Sequence, residues 1–370
     1  MNKAYKYRIY PNKTQQEQLA KTFGCCRFVY NQILALQEEN YKNDIKHMSR
    51  FDTNNYCNHV LKIEHLFLKE VDKFAITNAI YALETGYTKF FHKQGGYPKF
   101  KNKHRSKRSY TTNHTNNNID VMESKIKLPK LGKVKAVVHR TVPDGYQLKS
   151  ATVSQESDGS YYCSVLYEYE IVIVPVAIQR VVGLDYKSDG LYVSSDGDIC
   201  GSPKCYRKSA KRLTNAQRKL KHMKTHSANY HKQQQRIAKI YRHSTNQRKD
   251  FLHKKSTEIS NQYDLICVED LNMRSMSNKG FGNGKATLDN GYGMFLNILS
   301  YKLSQRGKQF IKVSKWYASS QICSCCGSIH KLSLLERVYR CECGNVMDRD
   351  INAAINIKNE GSRIYQELAA

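Results

Sequence analysis

Hydrophobic and polar positions change rhythm several times along this chain, and each change marks an expected element. The opening "KAYKYRIYP" alternates, as a half-buried strand does, and Pro11 closes it. Thr14 followed by Glu17 has the spacing of a capping box, so a helix is expected to start there. Leu19, Phe23, Cys26, Tyr30 and Ile33 then recur at helical spacing and define one buried face. A second stripe of Ile76, Ile80, Leu83, Tyr87 and Phe90 predicts another strong helix. Residues 11–93 therefore read as a helical region inserted after a lone strand.

The segment "GGYPKFKNKHRSKRSYTTNHTNNN" breaks the pattern and reads as basic surface suited to lie along phosphates. From Ile119 to about Ile173, the runs "KIKLP", "KVKAVVH", "SATVSQ" and "YYCSVLYEYE" alternate between turns at "PDG" and "SDGS". They predict antiparallel strands that the first strand joins, making a small barrel interrupted by the helices. "RVVGLDYKSDGLYVSSDGDICG" then gives a buried strand, a turn at Ser188-Asp189-Gly190, a second strand, another turn and a third strand. Lys204 to Lys255 is polar with few acids and predicts two basic helices. "YDLICVEDLN" is a buried strand ending in acid, "GMFLNILSYKLSQRG" a helix, and "KQFIKVSKW" a further strand. No repeat of fixed period is visible.

Charge narrows the class. Sixty Lys and Arg against thirty-two Asp and Glu leave +28, which calls for a polyanionic partner, and nucleic acid is the default. The near-absence of Glu in the 204–255 helices favours polyanion binding over a merely solvated face. An anionic membrane surface is the rival. Against it, "MNKAYKYRIYPNK" holds no apolar signal core, and "IVIVPVAI" is too short to span and contains a proline. The expectation is a soluble cytoplasmic protein. The twenty-six tyrosines could stack on bases, or could reflect an AT-rich genome. Twelve cysteines, five of them in one short C-terminal window, read as metal binding in a reducing compartment and not as a secreted disulfide scaffold.

Three acids sit where apolar residues belong. Asp185 interrupts "VVGLDY", Glu269 ends "LICVED", and Asp350 opens the helix of "INAAINI". An unpaired buried carboxylate is costly. A salt bridge or a helix cap explains one such acid, Asp350 included, but three together suggest convergence. Mutual repulsion would then call for divalent cations. Two magnesium ions roughly 4 Å apart can clamp the attacking water and the leaving oxygen of a phosphodiester, and hard oxygen ligands suit them. The order, an Asp in the first strand of a meander, a Glu ending a later strand and an Asp on a following helix, fits a ribonuclease H-like sheet. The reading requires the three carboxylates to meet closely enough to share that pair of cations.

Cys323-x-x-Cys326, fourteen intervening residues and Cys341-x-Cys343-Gly344 resemble a four-thiolate zinc ribbon. The second pair is one residue shorter than usual, and Cys325 is a spare that could substitute for a neighbour. Zinc held by four thiolates has no open position for water, so its role would be structural: folding a knuckle between Trp316 and the last acid, and so holding Asp350 in place.

Taken in order, "VVGLDYK", "HKKSTEISNQYDLICVEDLN", "SSQICSCCG" and "CGNVMDRDINAAINI" resemble successive landmarks of the transposon-encoded TnpB proteins, compact relatives of the type V CRISPR effector nucleases. "YKYRIYPNKTQQEQLAKTFGCCRFVYN" and "PKFKNKHRSKRSY" match that family too, so the resemblance covers essentially the whole chain. It implies an α+β multidomain protein: a wedge-like β-barrel (1–10 and 94–178) interrupted by a helical recognition domain (11–93), and a RuvC-like nuclease domain of ribonuclease H-like fold (179–319 and 347–370) holding a zinc ribbon (320–346). It further implies an RNA-guided DNA endonuclease that takes a guide RNA from the transposon end and cleaves double-stranded target DNA beside a short flanking motif. Such a protein would be prokaryotic and nucleoid-associated when bound to DNA. Carried over by motif, Asp185, Glu269 and Asp350 match the catalytic, magnesium-binding acids, with Asp348 ranked below Asp350. Cys323, Cys326, Cys341 and Cys343 match the zinc ligands. Thr77, Asn78, Tyr110, Thr111, Thr112 and Asn113 are candidates for reading the flanking motif. Two other readings are a guided DNA-binding regulator that does not cut and an unguided nuclease acting on junctions.

Overall fold

The structure, a computed structural model, describes residues 1–278, 280, 283–333 and 336–369. The chain divides into two compact units, one spanning Met1–Ile171 and the other starting at Val172.

The first unit opens with β1 (Asn2–Tyr10), followed by α1 (Lys13–Lys42), α2 (Arg50–Tyr56), α3 (Lys62–Glu64) and α4 (Lys73–Phe91). Six strands follow: β2 (Arg108–Asn113), β3 (Asp120–Val121), β4 (Lys125–Leu128), β5 (Gly132–Val137), β6 (Gln147–Gln155) and β7 (Tyr161–Glu168). They join β1 in a seven-stranded antiparallel sheet of order β2-β6-β7-β1-β5-β4-β3. The lone N-terminal strand is thus central, pairing with β7 on one side and β5 on the other.

All five residues of the expected α1 stripe are buried, but they serve two cores. Leu19, Phe23 and Cys26 pack on the sheet with Tyr7, Ile9 and Val165, whereas Tyr30 and Ile33 pack with Ile76, Ile80 and Leu83 of α4. Phe90, expected on the α4 stripe, is instead at the surface. The capping box also lies two residues earlier than expected. Asn12 accepts from the Gln15 backbone N–H at 2.8 Å, and Gln15 Oε1 accepts from the Asn12 N–H at 3.0 Å. Asn is at least as good an N-cap as Thr, and Gln serves in place of Glu.

β2 corrects the reading of residues 108–113 as surface. It pairs with β6 in full register, from Arg108 opposite Gln155 to Asn113 opposite Ser150. Tyr110 and Thr112 point into the core.

In the second unit β8 (Val181–Tyr186), β9 (Gly190–Ser194) and β10 (Ile199–Gly201) form the expected meander. The basic stretch forms α5 (Cys205–Lys221) and α6 (Ala228–Gln262). These pack through Leu213, Ala216 and Ile240 and leave Lys211, Arg212, Arg218 and Lys219 exposed. Then come β11 (Leu265–Glu269), α7 (Met273–Met276), α8 (Gly284–Asn290), α9 (Tyr292–Ser304) and β12 (Gln309–Val313). β13 (Val338–Arg340) and β14 (Val346–Asp348) make a small hairpin that leads into α10 (Arg349–Ala369). The main sheet has the order β10-β9-β8-β11-β12, with β8, β11 and β12 mutually parallel.

Alternation sorts the strands between two layers. Val182, Leu184, Ile266 and Val268 face α6 and α9, meeting Leu252, Phe295 and Leu299. Leu265, Cys267 and Val313 face α10, meeting Ile357. No described helix is long and apolar enough to cross a membrane.

Candidate active site and metal knuckle

Period two fixes where the acids point. Gly183 and Asp185 share the α10 face of β8, as Cys267 and Glu269 share it on β11. The parallel register pairs Cys267 with Gly183 and Val268 with Leu184, so one further step sets Glu269 beside Asp185. Both acids stand at the C-terminal ends of parallel strands, where open α/β sheets leave a crevice.

The third acid arrives on α10. That helix lies so close to the sheet that a side-chain carbon on Gly183 would collide with the Ala354 carbonyl oxygen and stand 2.6 Å from the Lys358 nitrogen. One on Gly361 would collide with Cys267 Sγ. Ala354 is one helical turn beyond Asp350, and Asp185 is two strand residues beyond Gly183. The close crossing therefore brings the two acids to the same end.

Asp185, Glu269 and Asp350 all line one cleft of about 990 Å³. Lys187, Lys315, Arg337 and Arg349 line it as well. Lys187 Nζ stands 3.4 Å from Asp350 Oδ2, and Arg349 Nη2 lies 3.8 Å from Oδ1. Burial, then repulsion from Asp350 and Glu269, pushes the Asp185 carboxyl up to about 8, against the Tyr186 N–H and Arg349, which favour its charge. Burial alone pushes Glu269 up to about 7. Asp185 is thus the acid that faces both others.

Asp348 has a different task. Its Oδ1 accepts the backbone N–H groups of Asp350 at 2.8 Å and Ile351 at 3.2 Å, which makes it the N-cap of α10.

Among the described residues, only the cysteine quartet gathers three or more metal-type ligands with all donor atoms within 4.8 Å of one another. The three carboxylates line one cleft without meeting that closely. A single magnesium held by all three at about 2.1 Å would need oxygens within about 4.2 Å. Two ions roughly 4 Å apart spread their ligands further. The three carboxylates therefore do not form a ready-made site for one ion held by all three. The Tyr292 hydroxyl adds an orphaned polar atom: it is fully buried, has no hydrogen-bond partner among the described residues, and feels the charges of Asp185 and Glu269. Buried hydroxyls are ordinarily satisfied, so this one is an exception beside the acids.

The knuckle geometry is close to that of a loaded site. Cys323 and Cys343 sulfurs are 3.7 Å apart, and those of Cys326 and Cys341 are 3.5 Å apart. Tetrahedral zinc–thiolate bonds of about 2.3 Å place sulfurs about 3.8 Å apart. The shortened pair therefore reaches the cluster, and Cys325 is exposed outside it. Burial opposes a Cys323 thiolate, but N–H groups of Cys326, Asn345 and Cys325 outweigh it and bring the thiol down to about 6. At Cys343 the Asn345 N–H favours the thiolate, yet the Cys341 sulfur and burial prevail and push it to about 12. Four sulfurs at this spacing cannot all be negative without a cation. The donor set fits structural zinc.

Two residues that sequence reasoning passed over join the knuckle to the acid-bearing helix. Asn352 and Asn356 of α10 are buried. Asn352 donates to the Ile322 carbonyl at 2.7 Å and accepts the Ser324 N–H at 3.0 Å. Asn356 donates to the Ser319 carbonyl at 2.8 Å and the Ile322 carbonyl at 2.6 Å. Polar residues in "INAAINI" on the buried face of the helix were the available signal.

The flanking-motif candidates lie in the first unit. Tyr110 and Thr112 are buried against the core of the sheet, at 5% and 0% exposure. Thr77, Asn78, Thr111 and Asn113 are half-buried. Asn78 Nδ2 donates to the Thr111 carbonyl at 3.0 Å and Asn113 Oδ1 at 3.1 Å, tying α4 to β2.

The fold is shared with Cas12f1 as seen in a cryo-EM structure of the Cas12f1–sgRNA–target DNA complex. The TM-score is 0.62 at 14% identity, covering 97% of this chain and 99% of that one. Family matches fall on residues 292–357 (Cas12f1-like TNB domain), 164–279 ("Probable transposase") and 1–46 ("Helix-turn-helix domain"). The last segment is here a strand and one long helix. A Streptomyces pristinaespiralis protein named "Putative RNA-guided DNA endonuclease" is 31% identical over 98% of this chain and 90% of its own length. InsQ of Escherichia coli, of the same designation, is 30% identical over 98% and 92%. The chain belongs to the TnpB family.

Proposed function

We propose that this chain is an RNA-guided DNA endonuclease of a transposon, cutting double-stranded DNA beside a short flanking motif. The observation that carries the reading is the convergence of Asp185, Glu269 and Asp350, from three separate elements, on one cleft that also holds basic side chains. The full-length relatives named as RNA-guided DNA endonucleases support it. In this reading Asp185, facing both other acids, is the shared ligand, with Glu269 and Asp350 on either side. Two magnesium ions bound there would supply the positive charge that activates water and stabilises the leaving oxygen. Lys187 is the counter-charge of Asp350 in the absence of cation, and Arg337 and Arg349 offer a phosphate charge-assisted hydrogen bonds.

The remaining parts take supporting roles. The seven-stranded sheet (1–10 and 94–178) serves as a wedge-like barrel and residues 11–93 as a recognition domain. Residues 179–319 and 347–370 form the RuvC-like, ribonuclease H-like nuclease. The knuckle of 320–346 holds zinc and steadies α10. Thr77, Asn78, Thr111 and Asn113 contact the flanking motif. The guide RNA comes from the transposon end and supplies sequence specificity, while the +28 chain binds backbone. The protein works in the cytoplasm, at the nucleoid when on DNA.

The test is purification from cells with sequencing of co-purified RNA, followed by cleavage of matched DNA with magnesium. A discrete noncoding RNA and cutting that Asp185→Ala abolishes, with RNA and DNA binding nearly intact, are expected. Cutting that survives in Asp185→Ala would refute the assignment, and random RNA or none would refute guiding.

A further inference from the structure

The chain has one tryptophan, and it is not in a core. Trp316 is 83% exposed, although large aromatics are normally mostly buried. It lines the same cleft as the three acids. β12 ends at Val313, the residue paired with Glu269, so Trp316 leaves the strand end adjoining that acid only three residues later. Its backbone is fixed: the Tyr317 N–H bonds the Ser314 carbonyl at 3.0 Å, and the Trp316 N–H bonds Ser314 Oγ at 3.3 Å. The Lys315 ammonium lies 4.8 Å from the ring centroid, a cation–π contact. A ring this exposed, on a pinned turn and beside phosphate-binding charge, is a platform without its partner.

We propose that Trp316 is a base-stacking subsite that holds an unpaired base of a single DNA strand as its phosphate enters the acid cleft. Every base has a π-face, so stacking needs no sequence, while Lys315 and Lys187 answer the adjoining phosphates. A base inside an intact duplex already has both faces covered, so the subsite selects a strand that has left its complement. The inference rests on the nuclease reading for the identity of its ligand.

A single tryptophan makes the test local. The full-length, zinc-loaded chain is titrated without magnesium against oligothymidylate and against an abasic backbone of equal length and charge. Indole emission should fall with the first and stay unchanged with the second. By fluorescence anisotropy of labelled oligomers, Trp316→Ala should bind the base-bearing strand about 5- to 100-fold more weakly, the fold-change expected for one stacked base. Its affinity for the abasic strand and its melting temperature should be unchanged, and Trp316→Phe should recover most of the loss. Equal quenching by both strands, or an undiminished preference for bases in Trp316→Ala, overturns the subsite. Cleavage with magnesium is read in parallel: cutting with an unquenched indole removes the subsite and leaves the nuclease, whereas base-dependent quenching in a chain that never cuts leaves the subsite and removes the nuclease.

Discussion

The Ala354 carbonyl oxygen of α10 occupies the space that a side chain on Gly183 would need. That contact sets the distance between the helix carrying Asp350 and the strand carrying Asp185. Gly183→Ala should force the helix outward, at about 1–3 kcal/mol of stability for overpacking. It should also slow cleavage by about 100-fold, the scale of a catalytic group misplaced by roughly 1 Å. Chemical denaturation and single-turnover cleavage measure the two effects, and a fully active Gly183→Ala protein would separate the crossing from the chemistry.

Asp348 and Asp350 are two residues apart with opposite expected sensitivities. Asn caps helices as well as Asp does, so Asp348→Asn should keep near-normal stability and cleavage. Under the proposed function Asp350→Asn removes a charged metal ligand, and it should lower cleavage by at least about 100-fold without unfolding the protein. Parallel cleavage assays and melting curves decide it.

The knuckle makes a prediction about metal content. Cys325→Ser should retain one zinc per chain by elemental analysis, whereas Cys343→Ser should lose it and melt at lower temperature. Removing zinc from the wild-type chain with a chelator should reduce cleavage even with magnesium in excess, because Asn352 and Asn356 would lose the ordered carbonyls of Ser319 and Ile322.

Proton linkage gives a pH dependence whose sign can be worked out. Asp185 at about 8 and Glu269 at about 7 lie above their unfolded values near 4, so the folded, magnesium-free chain holds extra protons between those limits. Stability contributed by these protonated forms is present at low pH and lost as pH rises toward 8. Zinc-loaded, magnesium-free protein should therefore melt lower at pH 8.5 than at pH 6, and magnesium should restore the loss. Because cation binding expels those protons, the magnesium needed for half-maximal cleavage should fall about tenfold or more per pH unit from 6 to 7 and level off beyond about 8. A flat profile would show that the two carboxyls are already ionised.

Much of this arrangement was legible before any coordinates. A carboxylate inside "VVGLDY" or at the end of "LICVED" stands out because its neighbours need burial, the meander followed from apolar runs between turn signals, and the two basic helices from a polar stretch poor in acids. Other features were hidden for physical reasons. β2 lay in a run of Lys, Arg and Asn whose charge masked the alternation of Tyr110 and Thr112. Asn352 and Asn356 were passed over, because a sequence does not show which carbonyls a buried amide will meet. Gly183 was a glycine in a strand, and only the helix crossing explains it. The distances among the carboxylates could not be read at all, since they depend on how three separate segments dock.

α10 follows every other element of its unit, and this order has a consequence during synthesis. A ribosome that has made residues 1–349 has already joined both strand acids, the basic helices and the four knuckle cysteines into the chain, but not Asp350 or the helix whose asparagines anchor the knuckle. N-terminal parts fold first as a chain emerges. A nascent or prematurely terminated product therefore carries the basic helices without the last acid of the cleft, and under the proposed function only a chain extended through α10 is equipped to break a strand.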